Sequence, residues 1–188
     1  MTPEQIWQVR SRARCLYNSA EVEAALDRIA CEIHDTMAQL DPVFLCVLNG
    51  GLIVAGRLSM RLQFPLRMGY LHATRYRDNT TGSELNWQAA PSLELIDETV
   101  LIVDDILDEG TTLKKVVENC ISLGARKVYT AVLVDKQHGH KRSAMRADFV
   151  GLEAEDHYLF GYGMDFKGYL RNADGIYAVD DEDLRTFG

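Results

Sequence analysis

The sequence predicts an α/β fold in which a mainly parallel, twisted sheet is flanked by helices on both faces. Two observations support this prediction. Short apolar runs that end in glycine-rich or acidic loops alternate with segments of helical periodicity, an order typical of β-loop-α units. The 188 residues are also enough to bury one full core, so a single domain over residues 1–188 is expected.

The first β-loop-α unit is predicted between residues 43 and 60. A helix precedes it, because apolar residues from Val22 to Met37 recur every three or four positions and Ser19 can cap their first turn. Val43 to Leu48 then form an apolar run, which is followed by Asn-Gly-Gly and a helical pattern to about Met60. We therefore expect a buried strand, a tight loop and a helix.

The second unit is predicted between residues 100 and 123. Val100 to Val103 form a β-branched run, DDILDEGTT follows, and a helical pattern runs from about Leu113 to Leu123. Between the two units, a strand at Leu66 to Thr74 leads into RYRDNTTGSELNW, which is typical of a long exposed lid loop. Further strands are predicted at Lys127–Val134, Phe149–Leu152, Tyr158–Tyr162 and Ile176–Val179.

Composition excludes several classes of protein. No apolar run approaches the roughly 20 residues that span a bilayer, and the N-terminus does not resemble a signal peptide, so a cytoplasmic protein without a membrane partner is expected. The net charge of -8 and pI of about 5.1 disfavour a nucleic-acid partner. The four scattered cysteines are expected to be reduced and mostly to pack. His138 and His140 flank Gly139 without a third ligand, so no metal site is assigned to them.

The acidic loop after residue 103 is the most informative segment. Asp104, Asp105, Asp108 and Glu109 precede Gly110 and a Thr-Thr pair, of which one threonine is the predicted helix cap. Backbone N–H groups at a helix start bind phosphate, yet so many carboxylates repel it. A divalent cation or sugar hydroxyls would reconcile the two, and a phosphorylated ribose with Mg²⁺ supplies both. The alternative is that the acidic residues are merely solvated.

The string VLIVDDILDEGTT closely resembles the ribose-phosphate signature of the phosphoribosyltransferases. Neighbouring segments resemble the hypoxanthine-guanine branch of that family, from the glycine loop at residue 48 to beyond residue 171. The resemblance implies a type I phosphoribosyltransferase fold with a small hood formed by the terminal segments and a flexible lid loop. It also implies homodimers or homotetramers, because family members usually form them.

The resemblance implies a role for each matching residue. Asp104 and Asp105 would bind the ribose hydroxyls directly or through Mg²⁺, and Asp108 would accept a proton near N7 of the base. Backbone N–H groups would hold the 5'-phosphate. The ribose-5-phosphate set is Asp104, Asp105, Asp108, Glu109, Gly110, Thr111 and Thr112, and the metal set is Asp104, Asp105 and Asp165.

The same comparison implies how the base and pyrophosphate bind. Lys136 would donate to a 6-oxo group, Tyr158 would stack on the base, the Leu159 backbone would face the purine edge and Asp165 would lie near Mg²⁺. Arg171 would contact pyrophosphate. The pyrophosphate loop is Leu48, Asn49 and Gly50, where Asn49 replaces a residue that is often basic in the family, and Tyr76 belongs to the lid, where Arg75 departs from the family's serine.

The expected activity is purine salvage. The 5-phosphoribosyl group of 5-phosphoribosyl-1-pyrophosphate would pass to N9 of hypoxanthine or guanine, with Mg²⁺ as cofactor, to give IMP or GMP and pyrophosphate. One alternative is a xanthine-preferring relative, because xanthine shares the 6-oxo group. Another is a noncatalytic regulator with the same fold that binds nucleotide and controls gene expression.

Overall fold

The computed structural model describes residues 1–75, 85–138 and 145–187. The predicted lid residue Tyr76 and the segment with Gly139 and His140 lie outside the described residues. The elements in chain order are α1 (Pro3–Arg12), β1 (Arg14–Tyr17), α2 (Ser19–Met37), β2 (Val43–Leu48), α3 (Gly51–Ser59), β3 (Arg67–Arg75), β4 (Leu85–Ala89), β5 (Thr99–Leu107), α4 (Thr111–Ser122), β6 (Lys127–Gln137), β7 (Phe149–Glu155), β8 (Leu159–Phe160), β9 (Ile176–Ala178) and α5 (Asp181–Phe187).

The larger sheet has six strands in the order β4-β3-β2-β5-β6-β7. Its neighbours run parallel except β4, which is antiparallel to β3. Helices α2 and α3 pack on one face around residues such as Leu26, Phe44 and Val54, while α4 packs on the other through Leu113 and Val116. The predicted fold class, a mainly parallel sheet covered by helices, is confirmed.

A small antiparallel sheet, β1-β9-β8, lies apart from the larger one in the strand pairing. It shares a hydrophobic cluster with α1, in which Val9 packs with Phe160, Phe166 and Tyr177. The Arg12 guanidinium in α1 also pairs with the fully buried carboxylate of Asp183 in α5. The terminal segments therefore form the predicted hood, and the hood reaches the functional site through β8.

Several local expectations were wrong. Asn18 caps α2 through a reciprocal capping box with Glu21, so Ser19 is the first helical residue instead of the cap. Strand β5 continues to Leu107, beyond the apolar run, because its polar end still pairs with β6. All four cysteines are free, but Cys15 and Cys31 are exposed, so only Cys46 and Cys120 are packing residues. No helix in the described part of the chain has the length and apolarity that crossing a membrane requires.

Candidate active site

The carboxyl end of β5 forms the centre of the site. Asp105 is 8% exposed, and its backbone N–H donates to Oδ1 of Asp104 at 2.9 Å. Both carboxylates open into a cavity of about 250 Å³, which continues over the loop to the start of α4. The lining residues of this cavity, which we call the α4 cavity, are Asp104, Asp105, Ile106, Leu107, Asp108, Gly110, Thr112 and Leu113.

The electrostatics of this pair follow from burial. Burial, and then the charge of Asp105, raise the pKa of Asp104 well above its usual range. Burial also raises the pKa of Asp105, although a hydrogen bond with Asp104 and the positive charge of Arg171 oppose the rise. Two neighbouring carboxylates with raised pKa values gain stability from a cation or from hydroxyl donors. The pair therefore suits Mg²⁺ or a ribose.

The start of α4 is shaped for an anion. Gly110 is the residue that caps the helix, in the left-handed region with φ of 80°, and no side chain makes a capping hydrogen bond there. The predicted threonine cap was wrong, because Thr111 and Thr112 already belong to the helix. Since glycine has no side chain to occupy the first turn, a phosphate can approach the helix end and its dipole.

A second cavity of about 280 Å³ adjoins the first. Tyr158 is 41% exposed at its edge and lies edge-on to Phe166, with 5.5 Å between ring centroids. Lys136 is far less exposed, with 13% of its side chain accessible. The lining residues of this cavity, which we call the Tyr158 cavity, are Asp105, Ile106, Asp108, Lys136, His157, Tyr158, Leu159, Met164 and Asp165.

Charged side chains connect the loop after β5 with the loop after β7. The Lys136 Nζ lies 2.8 Å from Oδ1 of Asp156 and 3.5 Å from Oδ1 of Asp108. Hydrogen bonds from Lys136 and then His138 lower the pKa of Asp156 to about 2. Asp156 therefore stays ionised at neutral pH and fixes the Lys136 ammonium between two carboxylates.

The loop after β2 lies against the same centre. A Cβ atom on Gly50 would collide with the Asp105 carboxylate, so only glycine allows this approach. The Arg171 guanidinium donates to the Gly163 carbonyl and pairs with Oδ1 of Asp165 at 2.6 Å. The structure thus brings the predicted pyrophosphate loop, Asp165 and Arg171 to the edge of the acidic pair.

A family model describing the phosphoribosyl transferase domain matches residues 14–167. The chain belongs to the phosphoribosyltransferase family. The match spans the larger sheet and the acidic loop. The resemblance that the sequence motif suggested is confirmed.

The relatives of this phosphoribosyltransferase include purine phosphoribosyltransferases and proteins named PyrR. The hypoxanthine-guanine-xanthine phosphoribosyltransferase of Tritrichomonas foetus is 28% identical over 159 residues, which cover 85% of this chain and 87% of the relative. The hypoxanthine-guanine phosphoribosyltransferase of Bacillus subtilis is 28% identical over 160 residues, with coverage of 85% and 88%. A bifunctional protein PyrR of Streptococcus pyogenes is 32% identical over 142 residues, with coverage of 72% and 80%.

Solved structures share the fold. A hypoxanthine-guanine-xanthine phosphoribosyltransferase superposes with a TM-score of 0.81 at 26% identity, covering 89% of this chain and 97% of that one. The hypoxanthine phosphoribosyltransferase of Trypanosoma cruzi gives a TM-score of 0.84 at 23% identity, with coverage of 92% and 94%. The similarity to the Trypanosoma cruzi protein, at 23% identity, supports only the fold of this phosphoribosyltransferase.

Several residues of the two cavities and their surroundings carry no recognisable signal in the sequence. Ile106 and Met164 line the Tyr158 cavity, and their apolar side chains carry no signal that separates them from core residues. Asp156 and His138 join the site through contacts between elements, which a linear motif does not record. Among residues 1–75, 85–138 and 145–187, no three His, Cys, Asp or Glu side chains form a group that could hold a metal ion. The assigned roles of the other residues stay predictions.

Proposed function

We propose that this phosphoribosyltransferase transfers the 5-phosphoribosyl group of 5-phosphoribosyl-1-pyrophosphate to N9 of hypoxanthine or guanine in purine salvage. One observation carries the proposal: the α4 cavity and the Tyr158 cavity share Asp105, Ile106 and Asp108. A phosphorylated sugar in the first cavity and a flat base in the second would meet at these residues. This is the arrangement that a bond between a sugar carbon and a base nitrogen requires.

The Tyr158 cavity supports a 6-oxopurine as the base. The half-exposed Tyr158 ring offers an apolar surface to a planar heterocycle, and Ile106 and Met164 extend that surface. Lys136 is a donor without acceptor capacity, so it matches an oxo group and offers nothing to the amino group of adenine. Guanine, hypoxanthine and xanthine share the oxo group and differ at C2, which would face Leu159 and Asp165.

The residues of the chain position the reactants and manage charge. Asp104 and Asp105 would hold the ribose hydroxyls, and the start of α4 with the residues from Glu109 to Thr112 would hold the 5'-phosphate. As N9 forms its bond to C1 of the ribose, Asp108 would take the proton from N7. Arg171 and the loop at Leu48, Asn49 and Gly50 would receive the pyrophosphate. Closure of a lid with Tyr76 would exclude water.

Mg²⁺ is the proposed cofactor, and the donor set fits it. Mg²⁺ in phosphate-binding sites takes one or two carboxylates and completes its shell with water and substrate oxygens, so a group of three protein ligands is not required. Asp104 and Asp105, whose pKa values burial raises, would gain from its charge, and Asp165 lies at the same cavity edge. When bound, the ion would neutralise charge on the departing pyrophosphate.

Two alternatives each have an observation in their favour. The Tritrichomonas foetus relative acts on xanthine by its name, which supports a xanthine-preferring activity. The relatives named bifunctional protein PyrR have the higher identity over a shorter span, and a relative with two roles keeps the regulator with this fold as the second alternative. Asp108, Lys136, Asp165 and Arg171 in one site favour catalysis over that second alternative, because a binding protein has no need for a proton acceptor.

Assembly and location are further parts of the proposal. We propose that the protein forms a homodimer or homotetramer and is located in the cytoplasm. The assembly is supported by large apolar side chains such as Trp7, Leu52 and Met60, which are 71%, 60% and 79% exposed, because exposed apolar surface marks protein contacts. Light scattering after gel filtration measures the mass. A mass of about 21.2 kDa would contradict the assembly.

The deciding experiment measures nucleotide formation from 5-phosphoribosyl-1-pyrophosphate with hypoxanthine, guanine, xanthine and adenine, each with Mg²⁺ and with a chelator. We expect metal-dependent turnover of hypoxanthine and guanine and little with adenine. The rate with xanthine decides between the hypoxanthine-guanine and xanthine branches. No turnover with any base, together with binding of the nucleotide product, would support the regulator instead.

A further inference from the structure

His138 lies between two carboxylates, one of which, that of Asp108, lines the Tyr158 cavity. Its Nε2 is 2.6 Å from Oδ1 of Asp108, and its Nδ1 is 3.0 Å from Oδ2 of Asp156. Only 16% of the imidazole is exposed. The histidine thus connects the loop after β5 with the loop after β7, immediately beside the group proposed to accept the N7 proton.

Nε2 of His138 lies close to Oδ1 of Asp108, but the two groups are not aligned for a hydrogen bond. Oδ1 of Asp108 and Nε2 of His138 are both shielded from solvent, and neither makes a hydrogen bond of acceptable geometry within the described part of the chain. Buried polar atoms left in this state cost free energy. Hydrogen bonds in catalytic sites are often poorly aligned without substrate and tighten in the complex, and a small rotation of either side chain would align this one.

The rest of the Asp108 side chain is partly exposed. Its side chain is 39% exposed although Oδ1 is shielded, so the other atoms of the side chain account for the exposure. Asp108 lines both the α4 cavity and the Tyr158 cavity. A partner that holds Oδ1 therefore fixes the orientation of a carboxylate that lines both cavities.

We propose that His138 is a positioning residue for Asp108, which it holds through Nε2 while Asp156 anchors the other side of the ring through Nδ1. The inference rests on the proposed function, because it gives Asp108 a task that orientation improves. Both ring nitrogens can donate to the two carboxylates only when the imidazole carries two protons, a state that leaves the Asp108 carboxylate ionised and able to accept the N7 proton. Among the described residues, the charged groups that face or adjoin the ring are Asp108, Asp156 and Lys136. The pH profile of kcat therefore reports on the contact.

Two conservative substitutions separate the two sides of the ring. In His138→Gln the side-chain amide nitrogen occupies a position similar to Nε2 and can donate to Asp108, whereas in His138→Asn it is closer to the position of Nδ1. We expect His138→Ala and His138→Asn to lower kcat for hypoxanthine about tenfold, a fraction of the roughly 10²–10⁴ that acid-base groups contribute. The KM for 5-phosphoribosyl-1-pyrophosphate should change less than about twofold. His138→Gln should recover most of kcat and flatten its pH profile.

A double-mutant cycle with Asp108→Asn tests whether His138 acts through Asp108. In the Asp108→Asn background, His138→Ala should change kcat less than about twofold, because the group that it positions is already lost. The control is His34→Ala, a histidine that is exposed on α2 and packs on Phe64, which should leave kcat unchanged.

The possible failures differ from one another. Wild-type protein that turns over no purine base would end the proposed function. Wild-type activity with His138→Ala indistinguishable from His34→Ala would overturn the positioning role alone. So would independent effects in the cycle, or an unchanged kcat with a lower KM for hypoxanthine, since His138 would then obstruct the base instead of serving Asp108.

Discussion

The backbone of Gly163 packs directly on the carbonyl oxygen of Gly50, which joins the loop after β8 to the loop after β2. A Cβ atom on Gly163 would overlap that oxygen, and a Cβ atom on Gly50 would overlap the Asp105 carboxylate. The Gly163 carbonyl in turn accepts a hydrogen bond from Arg171. The loop after β2, the loop after β8 and the carboxyl end of β5, which the proposed reaction needs, therefore pack together with no room for a methyl group at Gly50 or Gly163.

We expect Gly163→Ala to separate these segments. The added Cβ meets backbone atoms that cannot rotate away, and φ at this position is 109°, which L side chains rarely adopt. The free energy of unfolding should fall by about 3 kcal/mol or more, with kcat/KM at least about tenfold lower. Gly168→Ala is the control for stability, because φ there is 86° but nothing lies within 4 Å, so it should cost only about 1 kcal/mol. Urea denaturation compares the two; equal losses would show that the Gly50 contact is unimportant.

Asp104→Asn should stabilise the fold while it lowers activity. Burial raises the pKa of Asp104 in the folded state above the value in the unfolded chain, so the folded state binds the proton more tightly. The free energy of unfolding of the wild type then falls as pH rises from the unfolded pKa through the folded one. Asparagine removes this loss, so at pH 8 the variant should be more stable than the wild type.

Unfolding experiments at pH 4 and pH 8 measure this effect. The stability difference between Asp104→Asn and the wild type should be larger at pH 8 than at pH 4. Asp35→Asn, at an exposed position on α2, should differ from the wild type by less than about 0.5 kcal/mol at both pH values. A variant that is less stable at pH 8 would show that Asp104 is held by partners that favour its charge.

The larger sheet was predictable because each of its apolar strands repeats a simple local pattern. Val43 to Leu48 is buried almost throughout, and a run of this kind at this length is typical of a parallel strand with helices on both sides. The acidic loop was predictable for another reason: the motif packs strand end, carboxylates, glycine and helix start into one continuous string. Residues that are neighbours in this string are also neighbours in the structure.

The remaining features depend on contacts between distant segments. Strand β1 is partly exposed, and it is a strand because it pairs with β9, more than 150 residues away. Strand β8 keeps two residues because Gly161 and Tyr162 turn with positive φ toward the site. Gly163 and His138 likewise lie against Gly50 and Asp108, which belong to other elements. Propensity and periodicity describe neighbours in the chain, so they do not reach such pairs.

We expect Arg12→Ala to loosen the hood. Arg12 binds both carboxylate oxygens of Asp183, which is fully buried, so removing the guanidinium leaves a buried charge without its partner. Tm should fall by several degrees, because the carboxylate that remains is shielded from water and has lost its partner. The control is Lys114→Ala, which removes an exposed pair with Glu118 on α4 and should cost less than about 0.5 kcal/mol. Equal Tm values for the two variants would contradict the structural role of Asp183.

Asn49 offers a gain-of-function test of the proposed pyrophosphate loop. The side chain is exposed in the loop between β2 and α3, beside Gly50, at a position where the resemblance to the family leads us to expect a basic residue. Asn49→Lys adds a positive charge, which at about 4 Å from a pyrophosphate oxygen is worth about 1 kcal/mol in water. The KM for 5-phosphoribosyl-1-pyrophosphate should fall about fivefold at low salt and less at high salt. Asn49→Gln, which changes length without charge, should leave the KM near the wild-type value. If lysine leaves the KM unchanged at every salt concentration, Asn49 lies too far from the pyrophosphate and the loop assignment must be revised.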